Sequence, residues 1–465
     1  MKYFFFTLSA CLLCACGESF LDIRPSVRQR VPQSLADYVA LLDNTGTMSV
    51  SSHALGMIGS DELYLTEPSY NTFPTGVNHN YQKRAYTWEK QIFEGNESSK
   101  LDWNDGYKRI LWANLVLDGI GNLSLSAGDK AVAEQARGMA LFHRAWNYYN
   151  LAQLFCPVYE ESSASESLGL PLRLEPDLTL KIGRSSLKDT YRQIIKDLDV
   201  AKELLPVNAV TTYRPNKAAV LALLSRIYLQ MDDYQHAYEY ADQCLALSNE
   251  LLDYNTVDVN KPLTFTPLAV GNPEVLFLTT LSGQMTIYLR MLTTTYMLVD
   301  NDLYNSYEDG DIRREAYFLK NSDENFNFKG SYDATSYSYF TGMATDEVYL
   351  TKAECAVRLG DIPTALAAVN NLRKHRFLPD TFVAWDVRDA DELLDRILAE
   401  RRRELVFRGV RWEDLRRLNK ETKYAKTLTR VLGDRTFTLE PGSNRYIWPI
   451  PLEAIQVGGY EQNER

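Results

Sequence analysis

Residues 216–247 read NKAAVLALLSRIYLQMDDYQHAYEYADQCLAL, and this stretch decides the fold. Small and apolar side chains recur at helical spacing on both sides of a turn at Asp232 and Asp233. They are Ala218, Leu221, Ala222, Ser225, Tyr228 and Leu229 before the turn, and Tyr234, Ala237, Tyr238, Ala241, Cys244 and Leu245 after it. The pattern predicts two antiparallel helices in close contact. Because one such pair cannot bury its own apolar face, we expect further pairs.

A second copy of the pattern lies at residues 349–376, YLTKAECAVRLGDIPTALAAVNNLRKHR. The same 128 residues separate Ser225 from Ala353 and Ala237 from Ala365, so the two copies align without a gap. Helix–turn–helix units of this kind resemble tetratricopeptide repeats, although two accidental amphipathic hairpins are the alternative. The predicted fold is mainly α, a scaffold of tetratricopeptide-like hairpins near residues 131–205, 217–248 and 349–376. A long loop-rich insertion is predicted at residues 249–343.

The composition is that of an acidic globular protein. Apolar residues make up 45% and charged residues 24% of the 465 residues, which is enough for a large core. The net charge of −11 argues against nucleic acid as a partner. Cys156, Cys244 and Cys355 lie on or beside predicted helices without metal-ligand spacing. They are predicted to be buried thiols, and neither a metal site nor a cofactor is expected.

The first sixteen residues resemble the signal of a bacterial lipoprotein. Residues 3–13 form an apolar run that is too short to span a bilayer, and the run leads into Leu13-Cys14-Ala15-Cys16. We interpret residues 1–15 as a lipoprotein signal peptide, Cys16 as the lipidation site and residues 16–33 as a tether. Residues 34–465 are then predicted to form a single domain. An ordinary secretory signal with incidental cysteines is the alternative.

Several motifs along the chain resemble those of the SusD/RagB family of outer-membrane nutrient-binding lipoproteins. They are Phe20-Leu21-Asp22 soon after Cys16; Trp103, Tyr107, Ile110 and Asn114; Arg144 with Tyr148; Tyr191 to Pro206; Glu400 to Arg417; and Trp448-Pro449-Ile450-Pro451. They follow one another in the order typical of that family. Most are helix-packing and capping positions, so they indicate a fold rather than a particular ligand.

The resemblance implies a helical scaffold with a loop-rich face, lipid-anchored in the outer membrane and facing the cell exterior. It implies capture of an oligosaccharide or, for some members, a peptide. It also implies a partner, a SusC-like TonB-dependent transporter over which the protein sits as a hinged lid. The expected activity is binding without catalysis.

Two aromatic-rich segments are the candidate ligand face. Residues 288–340 hold twelve aromatic residues in 53, and residues 61–88 mix aromatic with turn residues. Aromatic rings offer flat apolar faces, and the tyrosine hydroxyl adds a polar tip. We expect the two segments to meet in space, and the predicted ligand-binding residues are Asp61, Tyr64, Trp88, Tyr296 and Tyr304. In the alternative interpretation, these rings only pack loops onto helices.

Two other function classes fit parts of the sequence. A lipid-anchored glycoside hydrolase needs two carboxylates beside the scissile bond, but no catalytic motif such as HExxH, GxSxG or a P-loop occurs. A tetratricopeptide-type interaction scaffold would not need two long aromatic-rich segments. Clustered acidic residues offer oxygen ligands to calcium, but these match no calcium loop, so no metal site is predicted. They are Asp300, Asp302, Glu308, Asp309 and Asp311.

Overall fold

The computed structural model describes residues 32–76, 79–94, 100–265, 271–281, 297–335 and 338–465. Cys16 and Tyr296 lie outside the described residues, as do residues 1–15 and most of the predicted tether. Within the described ranges the chain is mainly helical, as predicted, with short two-stranded sheets. No helix in these ranges combines the length and the apolar character that crossing a membrane requires.

The helices are α1 Leu35–Leu42, α2 Thr45–Met48, α3 Ala54–Gly59, α4 Glu67–Thr72, α5 Asn80–Tyr86, α6 Asp105–Gly121, α7 Lys130–Phe155, α8 Leu187–Leu204, α9 Lys217–Gln230, α10 Tyr234–Leu247, α11 Asn301–Asn305, α12 Arg313–Tyr317, α13 Thr345–Arg358, α14 Ile362–Lys374, α15 Ala390–Glu404, α16 Arg411–Leu418 and α17 Leu452–Gly458. The strands are β1 Leu63–Tyr64, β2 Val275–Phe277, β3 Thr280–Leu281, β4 Leu298–Val299, β5 Phe318–Lys320, β6 Phe326–Phe328, β7 Tyr339–Phe340, β8 Met343–Ala344, β9 Leu428–Leu432 and β10 Arg435–Leu439.

The stretch at residues 216–247 forms the predicted helix pair, α9 and α10. Asn216 caps α9 by accepting the amide of Ala219 through its side chain. Asp233 caps α10 in the same way by accepting the amide of His236. Between the helices, Asp232 adopts a left-handed conformation with φ 59°, which ends the first helix. Local turn chemistry therefore sets where each helix begins and ends.

The second copy, α13 and α14, has the same kind of turn. Gly360 has φ 87°, and Asp361 caps α14 by accepting the amide of Thr364. α10 packs directly against α13, and Ala237 and Cys355 share one apolar cluster between them. α7 packs against α8, and α8 against α9, which places a third helix pair beside the first. Helix pairs that are distant in sequence therefore stack as neighbours.

Short antiparallel strands hold the insertion between the two repeats. β2 pairs with β8, and β3 pairs with β7, so residues 275–281 lie against residues 339–344. Inside the insertion, β5 and β6 form a hairpin. β9 and β10 form a second hairpin near the end of the chain, with Arg435 opposite Leu432.

The largest apolar cluster draws residues from Leu42 to Ile450. Trp412 and Trp448 stack in it with their ring centroids 5.3 Å apart. A Cβ atom added at Gly59 would lie 2.6 Å from the Trp412 ring and 2.8 Å from the Trp448 ring, so only glycine fits beneath the two indoles. The sequence motifs of the last quarter of the chain are therefore core residues. Cys156, Cys244 and Cys355 are buried and free, which confirms the prediction of buried thiols.

Candidate ligand-binding face

The two aromatic-rich segments meet in the described part of the chain, as predicted. β1 pairs with β4 in antiparallel register, and Tyr64 lies opposite Leu298. The amide of Asp300 donates to the carbonyl of Glu62 at 2.9 Å, which extends the contact by one step. A loop from the first half of the chain and one from the middle therefore form a single surface.

Tyr64 and Tyr304 are half-buried on this surface. The Tyr64 hydroxyl donates to Asn325 Oδ1 at 2.9 Å, which joins β1 to the start of β6. Tyr304 stacks on Phe326 with the ring centroids 3.4 Å apart and the planes inclined by 14°. Because Asn325 and Phe326 are adjacent in sequence, the two tyrosines belong to one patch. We call Tyr64, Tyr304, Asn325 and Phe326 the aromatic face.

Asp61 lies three residues before Tyr64 in the sequence, and its carboxylate is ion-paired with basic side chains of the protein. It accepts two hydrogen bonds from Arg411, at 2.7 and 3.0 Å, and pairs with Lys426 at 2.7 Å. Arg402 bridges Asp61 to Asp300, at 3.4 and 3.2 Å. Burial alone would raise the pKa of Asp61, but the charge and hydrogen bonds of Arg411 hold this pKa well below its usual range. Asp61 thus ties the surface to α15 and α16.

Trp88 lies in the core and not on the aromatic face. Its side chain is 1% exposed, and its indole Nε1 donates to the carbonyl of Gly59 at 3.0 Å. The guanidinium of Arg430 covers the ring, 4.3 Å from its centroid. The expectation that Trp88 contacts a ligand is therefore corrected, because no face of the indole is open to solvent. For this ring, packing of a loop onto the helices is the better interpretation.

Tyr296 lies outside the described residues, so its role stays a prediction. Nothing in the sequence alone distinguishes Asn325 and Phe326, the partners of the two tyrosines on the face. Phe326 was one aromatic residue among twelve, and Asn325 is one of several polar residues in a turn. Neither carries a spacing signal, since Asn325 matters through its contact with Tyr64 on β1 and Phe326 through its contact with Tyr304 on α11.

The acidic stretch at residues 300–311 makes contacts within the protein, some of them with arginines. Asp311 pairs with Arg313 at 2.7 Å, and Glu308 pairs with Arg373 at 3.2 Å. Asp300 accepts the amide of Leu303 as the N-cap of α11. These contacts give Asp300, Glu308 and Asp311 structural roles.

A group of three carboxylates that could hold a cation occurs in the core of the described chain. The carboxylates of Glu274, Asp346 and Glu404 lie within 4.8 Å of one another and are buried. Arg376 pairs with both Glu274 and Glu404 at 2.7 Å, and Arg408 pairs with Asp346 at 2.9 Å. The arginines already supply the positive charge that a metal ion would bring, which favours a structural ion network.

A groove of about 400 Å³ lies apart from the aromatic face, between α6 and α17. Its lining includes Trp103, Leu178 and Val457, which give it an apolar character. Two polar groups beside it are already bonded, because Tyr107 donates to the carbonyl of Pro171 and Asn114 to that of Arg173. The aromatic face, unlike this groove, joins the two aromatic-rich segments, and we favour it as the binding site for that reason.

Two family models match the chain. The one described as "Starch-binding associating with outer membrane" matches residues 19–229, and the one described as "SusD family" matches residues 317–464. SusD-like protein P2 of Formosa agariphila is 25% identical over 407 residues, which cover 75% of this chain and 76% of that protein. The matches at both ends of the chain agree with the motifs found in its sequence.

Solved structures share the fold of this chain. A SusD superfamily protein from Bacteroides thetaiotaomicron VPI-5482 has a TM-score of 0.74 and 23% identity, covering 93% of this chain and all of that one. A laminarin-binding SusD-like protein has a TM-score of 0.66 and 19% identity, covering 92% of this chain and 98% of its own. The scaffold of stacked helix pairs is thus the SusD-like fold. The chain belongs to the SusD/RagB family, carbohydrate-binding proteins associated with the outer membrane by the description of the matching models.

Proposed function

We propose that this protein captures an oligosaccharide at the aromatic face and delivers it to a SusC-like TonB-dependent transporter. The observation that carries the proposal is the pair of half-buried tyrosines, Tyr64 and Tyr304, joined through Asn325 and Phe326. A similar fold in a protein that binds laminarin supports an oligosaccharide over a peptide. Peptide capture is the second candidate, and the binding experiment below includes it.

The chemistry of the face suits a sugar. The apolar C–H faces of a pyranose ring pack on aromatic rings, and each such stack contributes about 0.5–1.5 kcal/mol beyond area burial. The Tyr64 hydroxyl and the Asn325 amide can exchange hydrogen bonds with sugar hydroxyls. Both polar groups are held in place by their mutual hydrogen bond of 2.9 Å, so little side-chain freedom is lost on binding.

Attachment at Cys16 and delivery to a transporter belong to the same proposal. A lipidated Cys16 would hold the protein on the outer membrane, and residues 17–33 would connect the anchor to α1. The membrane-bound position puts the aromatic face within reach of a partner in the same membrane. The acidic net charge of −11 does not suit nucleic acid as a partner.

Calorimetric titration of the mature protein against neutral oligosaccharides and peptides tests the binding site. Tyr64→Ala and Tyr304→Ala are each expected to weaken oligosaccharide binding about three- to tenfold, since each removes one aromatic ring and one hydroxyl from the aromatic face. Tyr213→Ala is the matched control, because Tyr213 is 40% exposed and lies outside the aromatic face. Unchanged affinity in both face variants, with melting temperatures near that of the native protein, would place the site elsewhere.

A further inference from the structure

Two cations share the ring of Tyr70, next to the aromatic face. Lys83 Nζ, on α5, lies 4.5 Å from the ring centroid, and the guanidinium of Arg435, on β10, lies 6.0 Å from it. Arg435 also lies 5.7 Å from the ring of Phe437. The hairpin of β9 and β10 therefore brings a second positive charge to a ring that already carries one.

In the part of the chain that the structure describes, neither of these side chains is hydrogen-bonded or ion-paired to a carboxylate. Burial and then the charge of Arg435 lower the pKa of Lys83 below its ordinary value, which shows that the two cations act on each other. Glu89 nearby accepts a hydrogen bond from Thr87 at 3.1 Å, and Glu67 is exposed beside Gly433. By contrast, Arg411 and Lys426 both bind Asp61.

The Tyr70 ring connects to the aromatic face through Tyr86. The Tyr86 hydroxyl accepts the amide of Leu65 at 2.8 Å, directly after Tyr64. The rings of Tyr70 and Tyr86 lie 6.0 Å apart. Leu65 and Tyr86 are themselves buried, so this link passes through the core and places the two cations near β1, the strand that carries Tyr64.

The aromatic face has a cation of its own. The guanidinium of Arg314 lies 4.8 Å from the ring centroid of Tyr304, the ring that stacks on Phe326. Arg314 is half-buried and has no ion pair among the described side chains. Positive charges without carboxylate partners thus occur at two places along the surface of a chain whose net charge is −11.

We infer that the oligosaccharide is acidic, and that Lys83 and Arg435 bind one of its carboxylate or sulfate groups over Tyr70 while Arg314 binds another. The inference rests on the function proposed above, because the sugar rings are taken to lie on the aromatic face. A guanidinium matches the planar fork of a carboxylate and the oxygens of a sulfate, and such charged hydrogen bonds are about twice as strong as neutral ones. An acidic group would also relieve the repulsion between Lys83 and Arg435.

The experiment compares three probes of similar length by calorimetry: an oligogalacturonate, a sulfated galactan oligosaccharide that contains no carboxylate, and a neutral laminarin oligosaccharide. The native protein is expected to prefer an acidic probe, and the first two probes decide between carboxylate and sulfate. Lys83→Gln and Arg435→Gln should each weaken binding of that probe about tenfold and leave the neutral probe unaffected. Raising the salt from about 50 mM to about 200 mM should also weaken the acidic probe selectively.

Lys374→Gln and Arg192→Gln are the matched controls. They remove the same charges from exposed positions on α14 and α8, which belong neither to the aromatic face nor to the cations around Tyr70. Neutral binding equal to or tighter than acidic binding, or acidic binding that is indifferent to Lys83→Gln and Arg435→Gln, overturns this inference and leaves the proposed function standing. Failure of all three probes and of other neutral glycans to bind overturns both.

Discussion

At the scale of single residues, Glu62 shows how the contact between the two segments places a carboxyl group in the core. Its Oε1 accepts the amide of Phe407 at 2.8 Å, and its Oε2 accepts the hydroxyl of Ser60 at 3.3 Å. The side chain is buried without a direct ion pair among the described residues, unlike that of Asp61 next to it. Burial raises the pKa of Glu62 from 4.5 to about 7, and the charge of Asp61 adds to the effect.

The raised pKa predicts how stability changes with pH. Between pH 4.5 and about pH 7 the folded protein binds more protons at Glu62 than the unfolded chain does, so raising the pH through this window removes stability. The Glu62→Gln variant mimics the protonated group. We expect its free energy of unfolding, relative to that of the native protein, to rise by about 2 kcal/mol when the pH is raised from about 5 to about 8. Urea unfolding of both proteins at the two pH values measures the difference.

Glu453→Gln is the control for this comparison, because Glu453 lies in the first turn of α17 with no buried partner. Its stability should follow that of the native protein at both pH values. A Glu62→Gln variant whose stability relative to the native protein is the same at both pH values would show that Glu62 is already ionised in the folded state.

At the scale of one element, α15 is a helix whose charged residues face inward. Its last turns contain the sequence ERRRE, which is typical of a solvent-exposed helix face. In the structure, however, Glu400, Arg401 and Glu404 are buried. Glu404 Oε2 accepts Arg313 at 2.7 Å, and its Oε1 accepts Arg376 at 2.8 Å. Burial opposes the charge of Glu404, but Arg376 and then Arg313 lower its pKa below the usual range. The helix is therefore held by ion pairs as well as by its apolar residues.

Removing one member of this network should be costly. Glu404→Gln leaves two buried guanidinium groups without part of their counter-charge, and we expect a loss of about 3 kcal/mol in the free energy of unfolding. Glu392→Gln on the same helix breaks only the exposed pair with Arg396, and should cost less than about 0.5 kcal/mol. Urea unfolding measures both losses. Equal losses for the two variants would mean that the buried ion pairs contribute no more to stability than an exposed pair.

At the scale of the whole molecule, the proposed lipid anchor at Cys16 would fix the position of the protein in the cell. Cys16 and residues 17–31 lie outside the described structure, so the lipid anchor stays a prediction from sequence. Cys16→Ala should release the protein from the membrane into the soluble fraction, because a bacterial lipoprotein is held by its acyl chains. Cys14→Ala is the control, since it changes the neighbouring cysteine and keeps Ala15-Cys16. Retention of the Cys16→Ala variant in membranes, measured by fractionation, would contradict the anchor.

The helix pairs were predictable because helices depend on local interactions. The small residues of residues 216–247, the turn at Asp232 and the cap at Asp233 lie within one stretch, and the second copy repeats them at Gly360 and Asp361. The family motifs were readable for the same reason, since most of them are packing and capping positions. The contact between the two aromatic-rich segments was predictable for a simpler reason. The helices bury their apolar faces against one another, so the aromatic rings of the loops can pack only against other loops or a ligand.

By itself, then, the sequence determined the helical repeats, the buried cysteines, the family and the meeting of the two aromatic-rich segments. Only the tertiary structure decided which residues of these segments are exposed to solvent. Trp88 and Tyr64 look alike in sequence, yet one lies under Arg430 and the other bonds to Asn325. The exposure of a loop residue depends on partners hundreds of positions away, and no local spacing records them. Lys83 and Arg435 likewise come together over the ring of Tyr70 only through the tertiary fold, because they are distant in sequence.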